Sequence, residues 1–352
     1  MIKMAMVGCG AVAQDYHLPA ALHTPEVKVT HVIDTNPILA NKARSLAGAE
    51  FVLTDYRDAK SIDAVIVAVP HFLHAQIVSH FLRCGVHVFC EKPLALKLSE
   101  ARELVETAKG NNLVLAVGVF RRYYPTSRFL RQAIRSEWLG DIIEIDAEEG
   151  AVYDWNLQST FMMKREQAGG GVLVDSGSHT LDRILSCFTD INWRLRSYRD
   201  NAYGAGVESD CELKFDIDTI KYTLPVRIEL SRTRHLRNTV RIIMKNGSIE
   251  ALVNDPYYAW FVDHRLGKNN PENRPIRVNL ADSENHASLS DKLPFFIDQL
   301  QDFVKAIKEK CSPINNAESV LNMVDLIDRA YEKRTLMDEP WVHFRTDSIL
   351  DR

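Results

Sequence analysis

Residues 3–13 read KMAMVGCGAVA, a short apolar strand followed by a glycine turn and the start of a helix. Gly8, Gly10 and Ala13 fit the pattern G-x-G-x-x-A. Glycine lets the chain turn tightly and lets the backbone approach a pyrophosphate, whose negative charge is favoured at a helix N-terminus. The stretch therefore predicts a dinucleotide-binding loop. Its expected contact residues are Gly8, Gly10, Ala11, Val12 and Ala13.

An acid ends the next predicted strand, Val27–Ile33, and bears on the choice of cofactor. Asp34 stands where a carboxylate can accept hydrogen bonds from both hydroxyls of an adenosine ribose. The same carboxylate would repel a 2′-phosphate, and Thr35 and Asn36 add no cation. We therefore expect NAD, with NADP as the less favoured cofactor. The alternative is a glycine turn beside an unrelated aspartate.

The first third of the chain alternates strand and helix patterns. Residues 64–68 read AVIVA, a continuous apolar run typical of a buried parallel strand. Leu98–Lys109 has the apolar spacing of an amphipathic helix. The segment Asp55–Asp63 is short for a full crossover helix. Alternating strands and helices predict a doubly wound parallel sheet, and we assign residues 1–121 to this Rossmann domain.

The pattern changes after residue 121, where strands with alternating apolar residues replace helices. Ile143–Ala147, Val207–Phe215 and Val226–Leu230 alternate in this way, and Asn246-Gly247 lies between two such runs as a hairpin signal. Residues 122–352 are therefore predicted to form an α/β domain on an open-faced, mainly antiparallel sheet. Residues 265–291 are polar and predict a surface loop, and two helices are expected after it.

Composition narrows the class of protein. The formal net charge is −4, so no general basic surface for nucleic acid is expected. The six cysteines include no CxxC pair, and no apolar run is long enough to span a bilayer. His71, His74 and His80 lack a carboxylate at ligand spacing, so we expect no metal. Because the N-terminal residues lack the pattern of a signal peptide, we expect a cytoplasmic protein.

Four further motifs follow in a characteristic order. They are residues 69–74 (VPHFLH), 91–93 (EKP), 118–125 (GVFRRYYP) and 169–179 (GGGVLVDSGSH). Together with the glycine loop, they resemble the glucose–fructose oxidoreductase / inositol dehydrogenase family (Gfo/Idh/MocA) over nearly the whole chain. The resemblance implies a Rossmann domain, a second domain with an open-faced sheet, and assembly into homodimers or homotetramers.

The resemblance also implies roles for particular residues. Lys92, Asp175 and His179 would surround the nicotinamide and the reacting carbon, and the Lys92-Pro93 peptide bond would be cis. Arg122 would lie near the cleft and could contact substrate or cofactor, or it could belong to a solvated basic face. Further cofactor contacts are expected from Val69, Pro70, His71, His74 and Glu91. In the family, an asparagine usually stands where this chain has His71.

The residue types suit oxidation of an alcohol. A neutral histidine can remove a hydroxyl proton near neutral pH, and Asp175, four residues before His179, would share its face of a helix and raise its basicity. The Lys92 ammonium can stabilise charge that develops on the reacting oxygen. Taken singly, these three residues could equally be a surface lysine, a helix N-cap and a structural histidine.

Two aromatic residues precede the triple glycine. Trp155 and Phe161 could stack on a sugar or anchor a loop in the core. The sequence as a whole predicts a hydride-transferring oxidoreductase acting on a secondary alcohol or ketone carbon of a sugar, an activated sugar or a cyclic polyol. Two alternatives within the same resemblance are an NAD-dependent glycosidase that oxidises its substrate transiently, and a non-catalytic relative that senses a ligand.

Overall fold

A computed structural model describes residues 1–152, 160–189, 191–202, 206–269, 274–281 and 292–337. Its first sheet has six parallel strands in the order β3-β2-β1-β4-β5-β6. The strands are β1 Ile2–Val7, β2 Val27–Ile33, β3 Phe51–Leu53, β4 Ala64–Val67, β5 His87–Cys90 and β6 Leu115–Val117. The order reverses direction between β1 and β4, so the predicted doubly wound sheet is confirmed, with a switch point beside the glycine loop.

Both faces of this sheet are buried, which explains the unbroken apolar strand β4. Val65 and Val67 join one hydrophobic cluster, whereas Ala64 and Ile66 join the other. Helices cover the two faces. They are α1 Leu18–Leu22, α2 Pro37–Ala47, α3 His74–Arg83 and α4 Leu98–Gly110. The segment Asp55–Asp63 contains only a 3₁₀ turn, Tyr56–Asp58, so the expected short crossover is confirmed.

The second sheet has nine described strands in the order β14-β13-β12-β11-β7-β10-β9-β8-β15. They are β7 Ile142–Gly150, β8 Asn192–Asp200, β9 Asp210–Asp218, β10 Thr223–Ser231, β11 Thr239–Met244, β12 Gly247–Leu252, β13 Tyr258–Asp263, β14 Ile276–Asn279 and β15 Thr335–Leu336. Most pairs are antiparallel, while β7 runs parallel to β10 and β15 to β8. The hairpin predicted at Asn246-Gly247 joins β11 to β12.

Two expectations about this sheet are wrong. Part of the predicted loop 265–291 is the strand β14, which pairs with β13 although its own side chains are mostly exposed. A polar edge strand lacks the apolar alternation by which strands are found in a sequence. Ile143 is 53% exposed and Ile142 is buried in its place, because an irregularity in the pairing with β11 shifts the alternation there.

The remaining helices connect the two sheets. They are α5 Pro125–Arg135, α6 Arg165–Ala168, α7 Ser178–Leu185, α8 Leu293–Glu309 and α9 Leu321–Glu332. Helix α9 packs on the second sheet, but α8 returns to the first: Phe303 contacts Phe89 of β5, with ring centroids 5.7 Å apart. The expected boundary between residues 121 and 122 stays a prediction. No helix of the described residues is long and apolar enough to cross a membrane.

Candidate active site

Lys92 and Asp175, far apart in sequence, meet at the carboxyl edge of the first sheet. Lys92 follows β5, and its peptide bond to Pro93 is cis, as expected. The Lys92 Nζ atom donates to Asp175 Oδ1 at 2.9 Å and to the Asp175 main-chain oxygen at 3.0 Å. Both side chains are largely buried, at 12% and 24% exposure. An ammonium is thus fixed where doubly wound folds bind their ligands.

Asp175 has a second cationic partner that the sequence did not indicate. Arg232, which follows β10, donates from Nη2 to Asp175 Oδ2 at 2.8 Å. Burial would raise the pKa of Asp175, but the charges of Lys92 and Arg232 hold that pKa well below its usual value. The carboxylate is therefore ionised, with a cation on each oxygen.

The relation between Asp175 and His179 differs from the expectation. Asp175 lies in a π-helical turn, Leu173–Gly177, whereas His179 lies in the α-helix α7. A π-helical turn closes over five residues instead of four, so the α-helical spacing rule does not apply across this junction. No hydrogen bond joins the two side chains in the described part of the chain. The Asp175 carboxylate acts on His179 through its charge, which favours the imidazolium.

His179 lies in an apolar and cationic setting. It is 8% exposed, and its ring meets Phe120 edge to face with centroids 4.9 Å apart. Burial and the nearby charges of Lys92 and Arg121 lower its pKa well below the usual value for histidine. Its Nδ1 atom is buried without a hydrogen-bond partner in the described residues. The ring is therefore neutral at physiological pH.

The two consecutive arginines take different positions, and this reverses the expectation for Arg122. Arg122 is 3% exposed and binds Asp182 at 2.5 and 2.8 Å, with further bonds to Ser319 and to the Ile314 carbonyl. These contacts hold it in the protein interior, so the structure does not bring Arg122 to the site.

Arg121 is the arginine that lies near His179. It forms a bidentate pair with Glu149, at 2.7 and 3.0 Å. Glu149 also accepts a hydrogen bond from Thr180, the residue after His179. Arg121 therefore fixes the position of α7 at the site.

The glycine loop has the geometry that a dinucleotide would need. At Gly8, with φ +87°, a Cβ atom would lie 2.2 Å from the Ala68 carbonyl oxygen, so only glycine fits. At Gly10, nothing lies within 4 Å of such a position, which leaves open space beside the loop. Ala11 and Val12 are half-buried at its surface, whereas Ala13 is fully buried. Ala13 therefore belongs to the core under the loop.

Asp34 ties the glycine loop to the second strand. Its Oδ2 accepts from the Cys9 N–H and its Oδ1 from the Asn36 N–H, both at 2.7 Å. Each carboxylate oxygen has a second lone pair, so hydrogen bonds from a ribose remain available. Asp34 can thus order the loop and contact a nucleotide at once.

Glu91 lies inside the wall of the site. It accepts from His17 Nε2 at 2.7 Å and from the Lys92 N–H at 3.1 Å. Burial opposes ionisation of Glu91, but the His17 bond and the Lys92 charge keep its pKa below the usual value. A Cβ atom at Gly118 would lie 2.7 Å from this carboxylate. Glu91 therefore positions Lys92 and has little surface with which to contact a cofactor.

The segment 69–74 supports the same edge. Val69 and Pro70 are half-buried, while His74 is fully buried between the carbonyls of Pro93 and Val69, at 2.7 and 2.9 Å. His71 binds the Ala168 carbonyl at 2.7 Å, and burial lowers the pKa of His71 to about 3. The two histidines thus join this segment to the EKP turn and to the triple-glycine segment.

The remaining residues singled out in the sequence are Phe161, Trp155 and His80. Phe161 contacts His71 edge to face at 5.4 Å, and Trp155 lies outside the described residues. His80 lies near Cys84 on the exposed side of α3. Lys292, which sequence reasoning missed, stands at the start of α8, close enough to Arg121, Glu149 and Lys92 for their charges to act on it. A lysine in a polar segment gave no signal of this position.

Comparison with known proteins identifies the family of the chain that carries this site. The family model described as "Oxidoreductase family, NAD-binding Rossmann fold" matches residues 2–119, and the Gfo/Idh/MocA C-terminal domain matches residues 127–250. The chain belongs to the Gfo/Idh/MocA family. The resemblance stated from the motifs is thereby confirmed.

Curated relatives of this Gfo/Idh/MocA protein are distant. The rhizopine catabolism protein MocA of Rhizobium meliloti is 27% identical over 209 residues, which cover 58% of this chain and 63% of the relative. D-glucoside 3-dehydrogenase of Escherichia coli K12 is 29% identical over 190 residues, covering 52% and 53%. The chain spans about half to two thirds of the length of these curated relatives.

Solved structures share the fold over almost the full length. A levoglucosan dehydrogenase in complex with NADH and levoglucosan has a TM-score of 0.78 at 22% identity, covering 94% of this chain and 97% of its own. A 3-ketoreductase from Actinomadura kijaniata in complex with NADP and TDP-benzene has a TM-score of 0.80 at 18% identity, covering 96% and 98%. At these identities, the comparison establishes the fold alone.

Proposed function

We propose that this protein is a nicotinamide-dependent oxidoreductase that interconverts a secondary alcohol and a ketone on a sugar, an activated sugar or a cyclic polyol. The observation that carries the proposal is the buried Lys92 ammonium, fixed by Asp175 at the sheet edge beside a neutral His179. Membership of the oxidoreductase family supports the reaction class. The names of the relatives, which include dehydrogenases and reductases of sugars, support the substrate class.

Lys92 would polarise the reacting oxygen. An ammonium has three N–H donors, and two of them go to the Oδ1 and main-chain oxygens of Asp175. The third donor remains for the substrate hydroxyl or carbonyl oxygen. A positive charge held in a largely buried position stabilises the negative charge that develops on this oxygen during the reaction.

His179 would move the proton. In the oxidation direction, its neutral ring accepts the hydroxyl proton while the carbon loses a hydride, so that a ketone forms. In the reduction direction, the imidazolium returns that proton to the oxygen. When bound, a nicotinamide cofactor supplies the acceptor or the donor of the hydride. The residues of the chain therefore supply binding, orientation and proton transfer.

The cofactor proposal is NAD, bound along Gly8, Gly10, Ala11 and Val12, with Asp34 at the adenosine ribose. The open space at Gly10 and the remaining lone pairs of Asp34 fit such a ligand. Val69, Pro70 and His71 would line the nicotinamide side. The proposal assigns no direct contact with cofactor or substrate to four of the expected residues, because their side chains are buried in the protein interior. They are Ala13, His74, Glu91 and Arg122.

The test is an absorbance screen at 340 nm with NAD and NADP against sugars, inositols and nucleotide-sugars. We expect net formation of the reduced cofactor with one class. Lys92→Ala should lower kcat on the order of a hundred-fold or more while changing NAD affinity only a few-fold. The matched control is Lys97→Ala, since Lys97 is an exposed lysine five residues away that binds Asp328.

Three outcomes would overturn the proposal. Lys92→Ala could turn over like the wild type. A glycosidic bond could be cleaved without net reduction of NAD, which would indicate the glycosidase alternative. A sugar could bind tightly without any turnover, which would indicate a ligand sensor.

A further inference from the structure

Arg232 comes to the candidate site from the second sheet. It is the first residue after β10, and its main-chain N–H donates to the Ser209 carbonyl at 2.7 Å. Its side chain is 10% exposed and ends on Asp175 Oδ2. Lys92 comes from the first sheet and Asp175 from the π-helical turn. Three segments of the fold thus meet at one carboxylate.

The turn that carries Arg232 is itself fixed by a buried acid. Asp210 is 1% exposed, and its carboxylate accepts from Ser231 Oγ at 2.6 Å and from Thr233 Oγ1 at 2.8 Å. These two residues flank Arg232. The arginine backbone is therefore held on both sides before any ligand binds, which is how a supporting residue keeps a reacting group in place.

We propose that Arg232 is a positioning residue for the reaction, which fixes the Asp175 carboxylate on the Lys92 ammonium and keeps it from turning to His179. The inference rests on the proposed function and deepens it. With Oδ2 bound to Arg232, the carboxylate has one orientation, and Oδ1 stays on Lys92 Nζ. Lys92 then presents its remaining N–H in one direction.

The same positioning would affect the protonation state of His179. The His179 Nδ1 atom is buried and has no hydrogen-bond partner among the described residues, so a freed carboxylate would be attracted to a proton on it. An opposite charge within about 4–6 Å raises the pKa of a base by roughly one to three units. On this proposal, holding the carboxylate on Lys92 would also favour the neutral ring of His179.

The experiment compares Arg232→Met and Arg232→Lys with the wild type, on the substrate that the screen identifies. In Arg232→Met, we expect kcat to fall roughly ten- to hundred-fold, as for other misplacements of a reacting group, with KM changed less. The acidic limb of kcat/KM should move to higher pH by about one unit. Arg232→Lys should keep most of the wild-type kcat and leave the acidic limb close to its wild-type pH, because an ammonium can still bind Asp175 Oδ2.

A second measurement needs no substrate. Titration of the histidine resonances by NMR, with His179 assigned from a His179→Gln variant, should show the His179 pKa raised in Arg232→Met. The matched control is Arg227→Met, which removes an arginine of β10 that pairs with Asp146 and Glu229 instead. Arg227→Met should change neither the acidic limb of kcat/KM nor the pKa of His179 in the NMR titration.

The outcomes separate this inference from the proposed function. If Arg232→Met lowers the melting temperature but leaves the His179 titration and the acidic limb unchanged, Arg232 is merely structural and the inference is wrong. If Lys92→Ala is inactive while Arg232→Met matches the wild type, the inference also fails and the proposed function stands. If Lys92→Ala remains active, the proposed function is wrong, and the inference that rests on it is wrong as well.

Discussion

The candidate site combines few residues with many charges. Lys92 and Arg232 share the Asp175 carboxylate. Arg121 is paired with Glu149, which also accepts a hydrogen bond from Thr180, the residue after His179. Within a buried cluster, each charge acts more strongly than it would in water. Single substitutions here should therefore change pH dependence as well as rate.

The pH dependence of oxidation should report the low pKa of His179. Because oxidation requires the neutral ring, kcat/KM should fall as pH drops through that pKa, and burial with the Lys92 and Arg121 charges places this acidic limb below the usual histidine range. The Lys292 charge also lowers this pKa, so Lys292→Met should move the limb to higher pH. A pH–rate profile for each variant measures the shift.

Two controls accompany this measurement. Lys305→Met changes an exposed lysine of the same helix, 3.9 Å from Glu309, and should leave the limb in place. His179→Ala should remove the limb from whatever activity remains, while folding and NAD binding stay intact. An unchanged limb in His179→Ala would show that another group accepts the proton.

Cofactor preference should depend on Asp34. We expect the wild type to have a higher kcat/KM with NAD than with NADP, because the carboxylate repels a 2′-phosphate. Asp34→Asn should raise the NADP/NAD ratio roughly ten-fold or more, and the amide oxygen can keep one backbone hydrogen bond. Asp15→Asn, at an exposed position in the π-helical turn Ala13–His17, is the control. A wild type that prefers NADP would contradict the proposal.

At the scale of elements, the turn that carries Asp175 is held by a buried acid. Glu208 is fully buried and accepts from Tyr331 Oη at 2.7 Å and from the Leu173 N–H at 3.1 Å. Its main-chain oxygen also accepts from the Val172 N–H at 3.0 Å. Burial raises the pKa of Glu208, so the neutral acid is more favoured in the folded protein than in the unfolded chain.

This raised pKa predicts a stability that depends on pH. The contribution of Glu208 is fully present below its unfolded pKa of 4.5 and is lost as pH rises through the folded value. Glu208→Gln keeps the acceptor oxygen without the charge. Its melting temperature should match the wild type near pH 4 and exceed it increasingly towards pH 8.

Glu212, in β9, provides the opposite case. Despite its burial, hydrogen bonds from Arg199 and Lys214 lower the pKa of Glu212 to about 2. Its contribution is therefore present above an unfolded pKa of 4.5 and is lost as pH falls. Glu212→Gln should be destabilised at pH 7 and less so near pH 3. If the Glu208 and Glu212 variants showed the same trend with pH, the assignment for Glu208 would be wrong.

At the scale of the whole molecule, the second sheet has one apolar face and one charged face. The charged face carries arginines paired with acids: Arg227 with Asp146 and Glu229, and Arg237 with Glu148. The opposite face forms the core beneath α7 and α9. In the described part of the chain, arginines of this face such as Arg237 are exposed. Such a face suits contact with a second copy of the chain, since closed symmetric assemblies are common.

We therefore predict a homodimer or homotetramer that uses this charged face. Sedimentation velocity at micromolar concentration should show the oligomer, and Arg237→Glu, a reversal at a 56%-exposed side chain, should weaken it. Arg102→Glu, on the exposed face of α4, should leave assembly unchanged. A wild-type monomer at micromolar concentration would refute the prediction.

The sequence by itself determined the parts that depend on local chemistry. A glycine turn after an apolar strand and the parallel strand β4 each follow from residues only a few positions apart, whereas the cis peptide at Lys92-Pro93 was implied only by the resemblance of the motifs. The motif order then placed Lys92, Asp175 and His179 in one site. The structure brings Lys92 and Asp175 into contact and has His179 close enough for their charges to act on it.

Only the tertiary structure decided which charges share that site. Asp175 turned to Arg232, 57 residues later, instead of to His179, four residues later, because a π-helical turn intervenes and β10 ends beside it. Arg121 and Arg122 diverge because they lie in a tight 3₁₀ turn, Phe120–Tyr123, so consecutive side chains meet different neighbours. Ion pairs depend on distances through space, and these are fixed by packing between sheets that no local pattern encodes.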